Sequence, residues 1–183
     1  MNTTGVGFRA VDVITRTVRP EDFDHLASAF ADWPKPPELF EDYARRVNEG
    51  TLDMVVASVE SQLAGYLLIK PRSSYPPFAR AGIPEIADFN VLHNWQRAGI
   101  GTTLMDEAER RAAQICDVVG LGVGLYSDYS TAQRMYVRRG YLPDGAGVVL
   151  AGLPVRPGTE IILNDDPELM FTKRLREPQQ LVQ

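Results

Sequence analysis

Residues that build disulfide frameworks and metal centres are scarce in this sequence. It has one cysteine, Cys116, and two histidines, His25 and His93, among 183 residues. A single cysteine excludes an internal disulfide and is typical of proteins from a reducing cytoplasm. The histidines are far apart in the sequence and fit no metal-ligand spacing. We therefore expect no disulfide and no metal site. We predict that Cys116, on the apolar side of a predicted helix, is a small core residue.

Long apolar runs and basic clusters are missing as well. No apolar run approaches the roughly 20 residues of a membrane-spanning helix, and the first residues lack the basic and apolar regions of a secretory signal. The chain has 19 Lys and Arg against 24 Asp and Glu, a net charge of −5, and no basic run longer than two residues. Nucleic-acid binding requires a dense basic face. We expect a cytoplasmic protein that binds neither membranes nor nucleic acid.

The composition that remains is that of one compact domain. Hydrophobic residues make up 44% of the chain and charged residues 23%, which is ordinary for a globular protein. The chain is long enough to enclose a single core. Residues 1–10 are mostly small or polar, and residues 177–183 contain a proline and three glutamines. We predict a flexible N-terminus at 1–10, one domain at 11–176 and a flexible C-terminal tail at 177–183.

Hydrophobic periodicity predicts a mixed fold of the α/β (α+β) class. Two apolar strands, 54–59 and 63–70, flank three polar residues and predict a hairpin. The clearest helix is 102–116, and the proline-rich stretch 71–84 is predicted to be a loop. The other predicted strands are 11–16, 85–92, 118–126 and 168–175, with further strands after Tyr141, and the other predicted helices are about 20–30, 38–48 and 130–139.

Two glycine-containing segments could bind phosphate groups. The loop Gln96-Arg97-Ala98-Gly99-Ile100-Gly101-Thr102 lies between a strand and the clearest helix. The first N–H groups of a helix have no internal partner, so a diphosphate can bind there if no side chain blocks it. Taken alone, the loop is also compatible with a plain strand-to-helix turn. The second segment, Gly120-Leu121-Gly122-Val123-Gly124, resembles part of a dinucleotide fingerprint. It lies within a predicted strand, so we interpret it as close backbone packing.

A second motif follows downstream, at Ala132-Gln133-Arg134-Met135-Tyr136-Val137-Arg138-Arg139-Gly140-Tyr141. Together the two motifs resemble the GNAT superfamily of N-acetyltransferases. That family pairs a Gln/Arg-x-x-Gly-x-Gly/Ala loop with an Ala-x-x-x-Tyr-x-x-x-Gly-Phe/Tyr segment. The resemblance covers about 11–145. It implies a mostly antiparallel central sheet flanked by helices and an acetyl-CoA donor without a metal. It also implies direct transfer to an amine of a small molecule or peptide, and a homodimer would be common for the family.

The resemblance implies roles for individual residues. The pantetheine arm inserts between the fourth and fifth strands, where a backbone N–H near Val91 polarises the thioester carbonyl. Tyr136 matches the tyrosine that protonates the leaving thiolate, although a core aromatic is the alternative. Tyr129 stands where many members have an asparagine, for which its hydroxyl could substitute. The residues implied in cofactor binding are Phe89, Val91, Gln96, Arg97, Ala98, Gly99, Ile100, Gly101, Thr102, Tyr129 and Ala132.

An amine acceptor also requires a group that takes its proton. With a pKa near 10.4, only about one amine in 2,500 is unprotonated at neutral pH. Glu85, on the predicted fourth strand, is the first candidate base, directly or through water, and Asp88 is the second. The period of two places them on opposite faces of a regular strand, unless a bulge intervenes. Water or a residue elsewhere is the remaining alternative. A non-catalytic acyl-CoA sensor or partner-binding module on the same fold is the alternative function.

Overall fold

The computed structural model describes residues 12–33, 35–36 and 38–175. The predicted flexible ends, 1–10 and 177–183, lie outside the described residues. The strands are β1 (Val13–Thr17), β2 (Asp53–Val59), β3 (Gln62–Lys70), β4 (Glu85–Val91), β5 (Val118–Gly124), β6 (Leu142–Leu150), β7 (Leu153–Pro154) and β8 (Glu168–Arg174). The helices are α1 (Asp22–Ala29), α2 (Glu38–Asn48), α3 (Pro76–Ala81), α4 (Ile100–Ala112) and α5 (Ser130–Arg138), with short 3-10 turns at His93–Trp95 and Ser127–Tyr129.

The described strands form one sheet in the order β1-β2-β3-β4-β5-β8-β6-β7. Neighbouring strands are antiparallel except β4 and β5, which are parallel and pair only at Glu85↔Gly120 and Ile86↔Leu121. This mixed, mostly antiparallel sheet flanked by helices confirms the predicted fold class. Beyond Ile86 and Leu121 the two strands diverge. We call the space between Ala87–Val91 and Gly122–Gly124 the β4–β5 gap.

Each face of the sheet carries its own apolar core, as the alternation of strand side chains requires. On one face, Val55 and Ala57 of β2 pack with the buried side of α4 and with α5. On the other face, Met54 and Val56 pack with α1 and α2. The β4–β5 gap therefore lies between a face covered by α4 and α5 and a face covered in part by α1 and α2. No helix among the described residues is long and apolar enough to cross a membrane.

The glycines of β5 lie on one face of their strand and are closely packed. Val119, Leu121 and Val123 face the core under α4, so the three glycines between them face the other side. A Cβ atom on Gly120 would lie 2.6 Å from two atoms of the Phe78 ring and closer to a third. The segment is thus a strand with close backbone packing, as predicted from the sequence.

Two predicted element boundaries are wrong. The stretch 71–84 is not a continuous loop, because α3 begins at Pro76 and ends before Gly82, whose φ is 65°. Prolines are compatible with the first turn of a helix, where their missing N–H has no partner anyway. Helix α4 ends at Ala112, and a turn follows before β5. Cys116 is therefore half-buried at the end of that turn, so the prediction that it is a core residue of the helix is wrong.

Candidate active site

The phosphate-loop prediction corresponds to the N-terminus of α4. Regular helical hydrogen bonding begins with the Thr103 N–H, which donates to the Gly99 carbonyl at 3.1 Å. The three preceding N–H groups, of Ile100, Gly101 and Thr102, therefore have no acceptor inside the helix. They lie at the positive end of a 13-residue helix, which favours an anion.

The two residues before α4 that turn the chain have left-handed backbones. Arg97 has a φ of 62° and Gly99 a φ of 86°. No atom lies within 4 Å of a Cβ placed on Gly99, so the space in front of the helix is open. Arg97 is exposed and forms no ion pair with a described residue. Gln96 connects the loop to β4, since its side-chain amide donates to the Val91 carbonyl at 3.3 Å.

A β-bulge in β4 borders the gap. Leu68 pairs with Ala87 and Tyr66 with Asn90, so Asp88 and Phe89 together stand opposite the single residue Leu67. Asp88 adopts a φ of 41°, which few residues other than glycine do. The side chains of Phe89 and Val91 pack toward α4 and α5. A bulge reverses the alternation beyond it, so Asp88 shares a face with Glu85. The expectation of opposite faces for a regular strand therefore does not apply.

Both carboxylates line a cleft of about 770 Å³ on the face opposite α4. We call it the acidic cleft. Residues from α2, β3, β4 and β5 line it together with the ends of β6 and β8. Its basic lining residues are Arg46 and Lys70. Its acidic lining residues are Asp42, Glu85, Asp88, Asp165, Asp166 and Glu168. This excess of carboxylates favours a cationic ligand.

Glu85 is part of a buried ion pair. Its side chain is 8% exposed, and its Oε1 accepts a hydrogen bond from Lys70 Nζ at 2.8 Å. Its Oε2 accepts a hydrogen bond from the Ser73 hydroxyl, and the Ser73 oxygen in turn accepts the Tyr75 N–H at 2.9 Å. Both carboxylate oxygens of Glu85 therefore already have a donor.

Asp88 has donors on both of its oxygens. Lys35 Nζ lies 2.5 Å from Oδ1, and the hydroxyls of Tyr43 and Tyr66 each donate to Oδ2 at 2.7 Å. The Asn90 side chain donates to Oδ1 at 2.8 Å. Burial alone would raise the pKa of Asp88, but the Lys35 charge and these donors lower it below the usual value. Asp88 is thus a fixed anion that joins β4 to α2 and is poorly suited to accept a proton.

Glu168, the first residue of β8, was not predicted as a site residue. Its carboxylate lies over Gly122, where a Cβ atom would be 2.6 Å from Oε1 and 2.9 Å from Oε2. Among the described residues it has no hydrogen bond and no ion pair. Burial, and then the charge of Glu85, raise the pKa of Glu168, while Lys70 opposes the shift. In the sequence, the only local sign of this contact is Gly122, whose missing side chain leaves room for another group to approach β5.

The two predicted tyrosines differ in their surroundings. Tyr136 of α5 is 5% exposed and packs beside Tyr141 in the core under α4, with ring centroids 5.8 Å apart. Burial raises its pKa, so its hydroxyl stays protonated at neutral pH. Tyr129 covers Gly124, and its hydroxyl donates to Asp165 at 2.9 Å. Ala132 is half-buried against the same core as Tyr136.

The described residues contain no group of three or more His, Cys, Asp or Glu side chains that could hold a metal ion.

Comparison with known proteins identifies one family. The model of the acetyltransferase (GNAT) family matches residues 20–141, which is more than half of the chain. No curated protein matches the sequence. An aminoglycoside 6′-N-acetyltransferase complexed with coenzyme A has a similar structure, with a TM-score of 0.64 and 17% identity over 91% of this chain and 99% of its own.

Two further solved structures are similar over nearly the whole chain. A ribosomal-protein-alanine N-acetyltransferase from Brucella melitensis has a TM-score of 0.63 and 18% identity over 88% of this chain and 99% of its own. A protein from Arabidopsis thaliana in complex with acetyl-CoA has a TM-score of 0.63 and 18% identity over 89% of this chain and 98% of its own. At such identities the likeness establishes the fold and leaves the acceptor open.

Proposed function

Because the chain belongs to the acetyltransferase (GNAT) family, we propose that it transfers the acetyl group of acetyl-CoA to an amine by direct attack in a ternary complex. One observation carries the proposal. A helix N-terminus with three unpaired N–H groups lies beside one face of the β4–β5 gap, and a carboxylate-lined cleft lies on the other. A phosphate-bearing donor and a cationic acceptor can therefore approach the same gap from opposite sides.

The donor side is proposed to hold acetyl-CoA through backbone groups. The N–H groups of Ile100, Gly101 and Thr102 would bind the pyrophosphate, with the exposed Arg97 adding charge. The backbone of Phe89 and Val91 has no partner in β5, because pairing with β5 stops at Ile86. The Val91 carbonyl accepts the Gln96 side chain, but the Val91 N–H and the Phe89 backbone are available to bind the pantetheine arm and to polarise the thioester carbonyl. Gln96, Ala98 and Gly99 complete this loop. Ala132 borders the donor side from α5, and Tyr129 lies over Gly124 at the far end of the gap, between the two sides.

The acceptor side is proposed to be the acidic cleft. The ammonium of the acceptor first loses a proton to water in the open cleft. The neutral amine nitrogen then attacks the thioester carbonyl carbon, so a C–N bond forms and the C–S bond breaks. The proton that leaves the nitrogen passes to the pair of carboxylates formed by Glu85 and Glu168. Tyr136 gives its hydroxyl proton to the departing thiolate, since a tyrosine hydroxyl is protonated at neutral pH and can act as a general acid.

The acceptor is proposed at the level of a chemical class. The two structural neighbours whose acceptors are named differ, one an aminoglycoside and the other a ribosomal-protein alanine. What this chain contributes is an excess of carboxylates around the cleft. We therefore propose a small molecule or peptide with a cationic amine. The predictions of a cytoplasmic location and of a homodimer rest on the sequence alone and stay predictions.

The test begins with the melting temperature in the presence of acetyl-CoA. At a hundred times its Kd, a ligand adds about 2.7 kcal/mol to the free energy of unfolding. For a domain of this size we expect Tm to rise by about 5–10 °C. The Gly99→Val variant should lose this rise, because valine is strained at a φ of 86° and its side chain projects in front of the helix.

The release of coenzyme A is then measured with a panel of amines that includes diamines, aminoglycosides and peptides. Release that depends on an amine supports transfer. A rise in Tm without release from any amine would instead favour the non-catalytic sensor. An unchanged Tm at saturating acetyl-CoA would contradict the donor site itself, and Gly99→Val with a normal rise would contradict the phosphate loop.

A further inference from the structure

The position of Glu168 relative to the β4–β5 gap distinguishes it from Glu85. The last paired residues of the two strands are Ile86 and Leu121, and Gly122 is the first residue of β5 beyond them. The Glu168 carboxylate lies directly over Gly122. Glu85 pairs with Gly120, which is two residues further back, where the strands are still closed. Of the two carboxylates, Glu168 is therefore the one at the mouth of the gap.

The backbone of Glu168 is fixed while its carboxylate remains available. Its main chain is held in the sheet between Gly124 of β5 and Val149 of β6. Glu85 has a donor on each oxygen, and Asp88 has two on each. The carboxylate of Glu168 has neither a hydrogen bond nor an ion pair among the described residues. It can thus receive a proton without first breaking a contact inside the protein.

We infer that Glu168 is the carboxylate that accepts the proton of the attacking amine, and that Gly122 provides the space for it. This inference rests on the proposed acetyl transfer and assigns the base within it. As the C–N bond forms, one N–H proton of the amine moves to a Glu168 oxygen. The thiolate released by C–S cleavage takes the Tyr136 proton. Water in the open cleft then removes the proton from Glu168, and water that enters the β4–β5 gap after coenzyme A leaves restores the proton of Tyr136.

Glu85 is a positioning residue in this scheme. Lys70 and Ser73 hold the Glu85 carboxylate in place, and its negative charge repels a negative charge on the neighbouring Glu168. It thereby increases the proton affinity of Glu168 in addition to the effect of burial. Several titratable and charged groups surround Glu168 in the cleft. They are Glu85 and Asp88 of β4, Lys70 of β3, Tyr75 before α3, Tyr129 of the turn before α5, Asp165 and Asp166 before β8, and Asp42, Tyr43 and Arg46 of α2.

The experiment compares Glu168→Gln with Glu85→Gln, using an amine that the wild-type protein acetylates. We expect Glu168→Gln to lower kcat by about 100-fold at neutral pH, the size of a general-base effect. It should also abolish the acidic limb that the base contributes to the pH profile of kcat/KM, which is separate from the ionisation of the substrate amine, because the titrating base is gone. Glu85→Gln should keep that limb and shift it to lower pH. Glu168→Asp should restore the limb with a lower rate.

A variant of the glycine gives an independent measurement. Gly122→Ala leaves every ionisable group in place but puts a methyl group where the carboxylate lies. We expect kcat to fall at least tenfold. Both Glu168→Gln and Gly122→Ala should keep the wild-type rise of Tm with acetyl-CoA, which shows that the protein is folded and that the donor site is intact.

The possible results separate this inference from the proposed function. If Glu168→Gln keeps a wild-type kcat and pH limb in an active protein, the assignment of Glu168 is overturned while acetyl transfer stands. If the limb disappears in Glu85→Gln instead, the base is Glu85. If the wild-type protein releases no coenzyme with any amine, the transfer proposal fails and the role of Glu168 fails with it.

Discussion

The contact between Gly120 and Phe78 predicts a stability effect whose sign can be reversed. Gly120 is a regular strand residue without positive φ, so alanine is compatible with its backbone. At such positions Gly→Ala stabilises a protein by about 0.4–1 kcal/mol, because it restricts the unfolded chain. Here, however, the new Cβ would lie 2.6 Å from two Phe78 ring atoms. Phe78 is 2% exposed and packs edge-on against Tyr75, with the two ring centroids 4.8 Å apart, so the Phe78 ring has little room to move.

We therefore expect Gly120→Ala to destabilise the protein by about 1–3 kcal/mol, the usual cost of overpacking. For a domain of this size, that is a fall in Tm of about 2–12 °C. Phe78→Ala alone should cost about 3–5 kcal/mol, because it leaves a cavity. In the Phe78→Ala background the clash is absent, so adding Gly120→Ala should be neutral or stabilising by about 0.4–1 kcal/mol.

Urea denaturation of the four proteins at 25 °C measures this double-mutant cycle. A clash between the new methyl group and the Phe78 ring implies a coupling free energy of at least about 1 kcal/mol between the two sites. If the two effects on the free energy of unfolding add within about 0.5 kcal/mol, a clash with Phe78 is refuted, because the effect of Gly120→Ala would then not depend on the ring. A stabilised Gly120→Ala single variant would refute it as well.

Two further predictions concern Tyr136 and Asp88. Tyr136→Phe should lower kcat tenfold or more and leave the rise of Tm with acetyl-CoA unchanged, because it removes one hydroxyl from a buried ring; an unchanged kcat would remove the proton-donor role. Asp88→Asn should destabilise the protein by about 3 kcal/mol for two reasons. Lys35 loses its counter-charge, and the new side-chain N–H₂ is itself a donor, so it cannot accept the hydrogen bonds that one carboxylate oxygen of Asp88 accepts. Since folding lowers the pKa of Asp88, its stabilising effect is complete above the unfolded-state value of about 3.9 and is lost as pH falls through the lower folded-state value. Urea midpoints at pH 7 and pH 3 should therefore differ more for the wild-type protein than for Asp88→Asn, and equal differences would contradict the ion-pair argument.

Elements with strong local signals are predicted well from the sequence. Helix α2 is predicted at 38–48 and observed at Glu38–Asn48, because its apolar face and the glycine after it are both local features. The hairpin of β2 and β3 and the loop before α4 follow from turn residues and periodicity in the same way. Helix α3 is missed because its prolines, which predict a loop, stand in the first turn where a helix tolerates them.

The acidic cleft is harder to predict because distant segments build it. The bulge at Asp88 requires a positive φ in a residue other than glycine. The contacts that surround Asp88 come from Lys35, Tyr43 and Tyr66, which are 22 to 53 residues away in the chain. Glu168 reaches Gly122 only because β8 enters the sheet beside β5. It also lies beyond residue 141, where the match to the family ends, so its role has no counterpart in the motifs.

The place of β8 in the sheet has a consequence for synthesis of the protein on the ribosome. Of the described strands, β8 is the last to be made, yet it lies between β5 and β6 in the interior of the sheet. Until residues 168–174 have left the exit tunnel, β5 has a free edge that offers unpaired N–H and C=O groups to other chains. The nascent protein can thus assemble the half of the sheet from β1 to β5 early, but it must protect that edge until β8 has emerged.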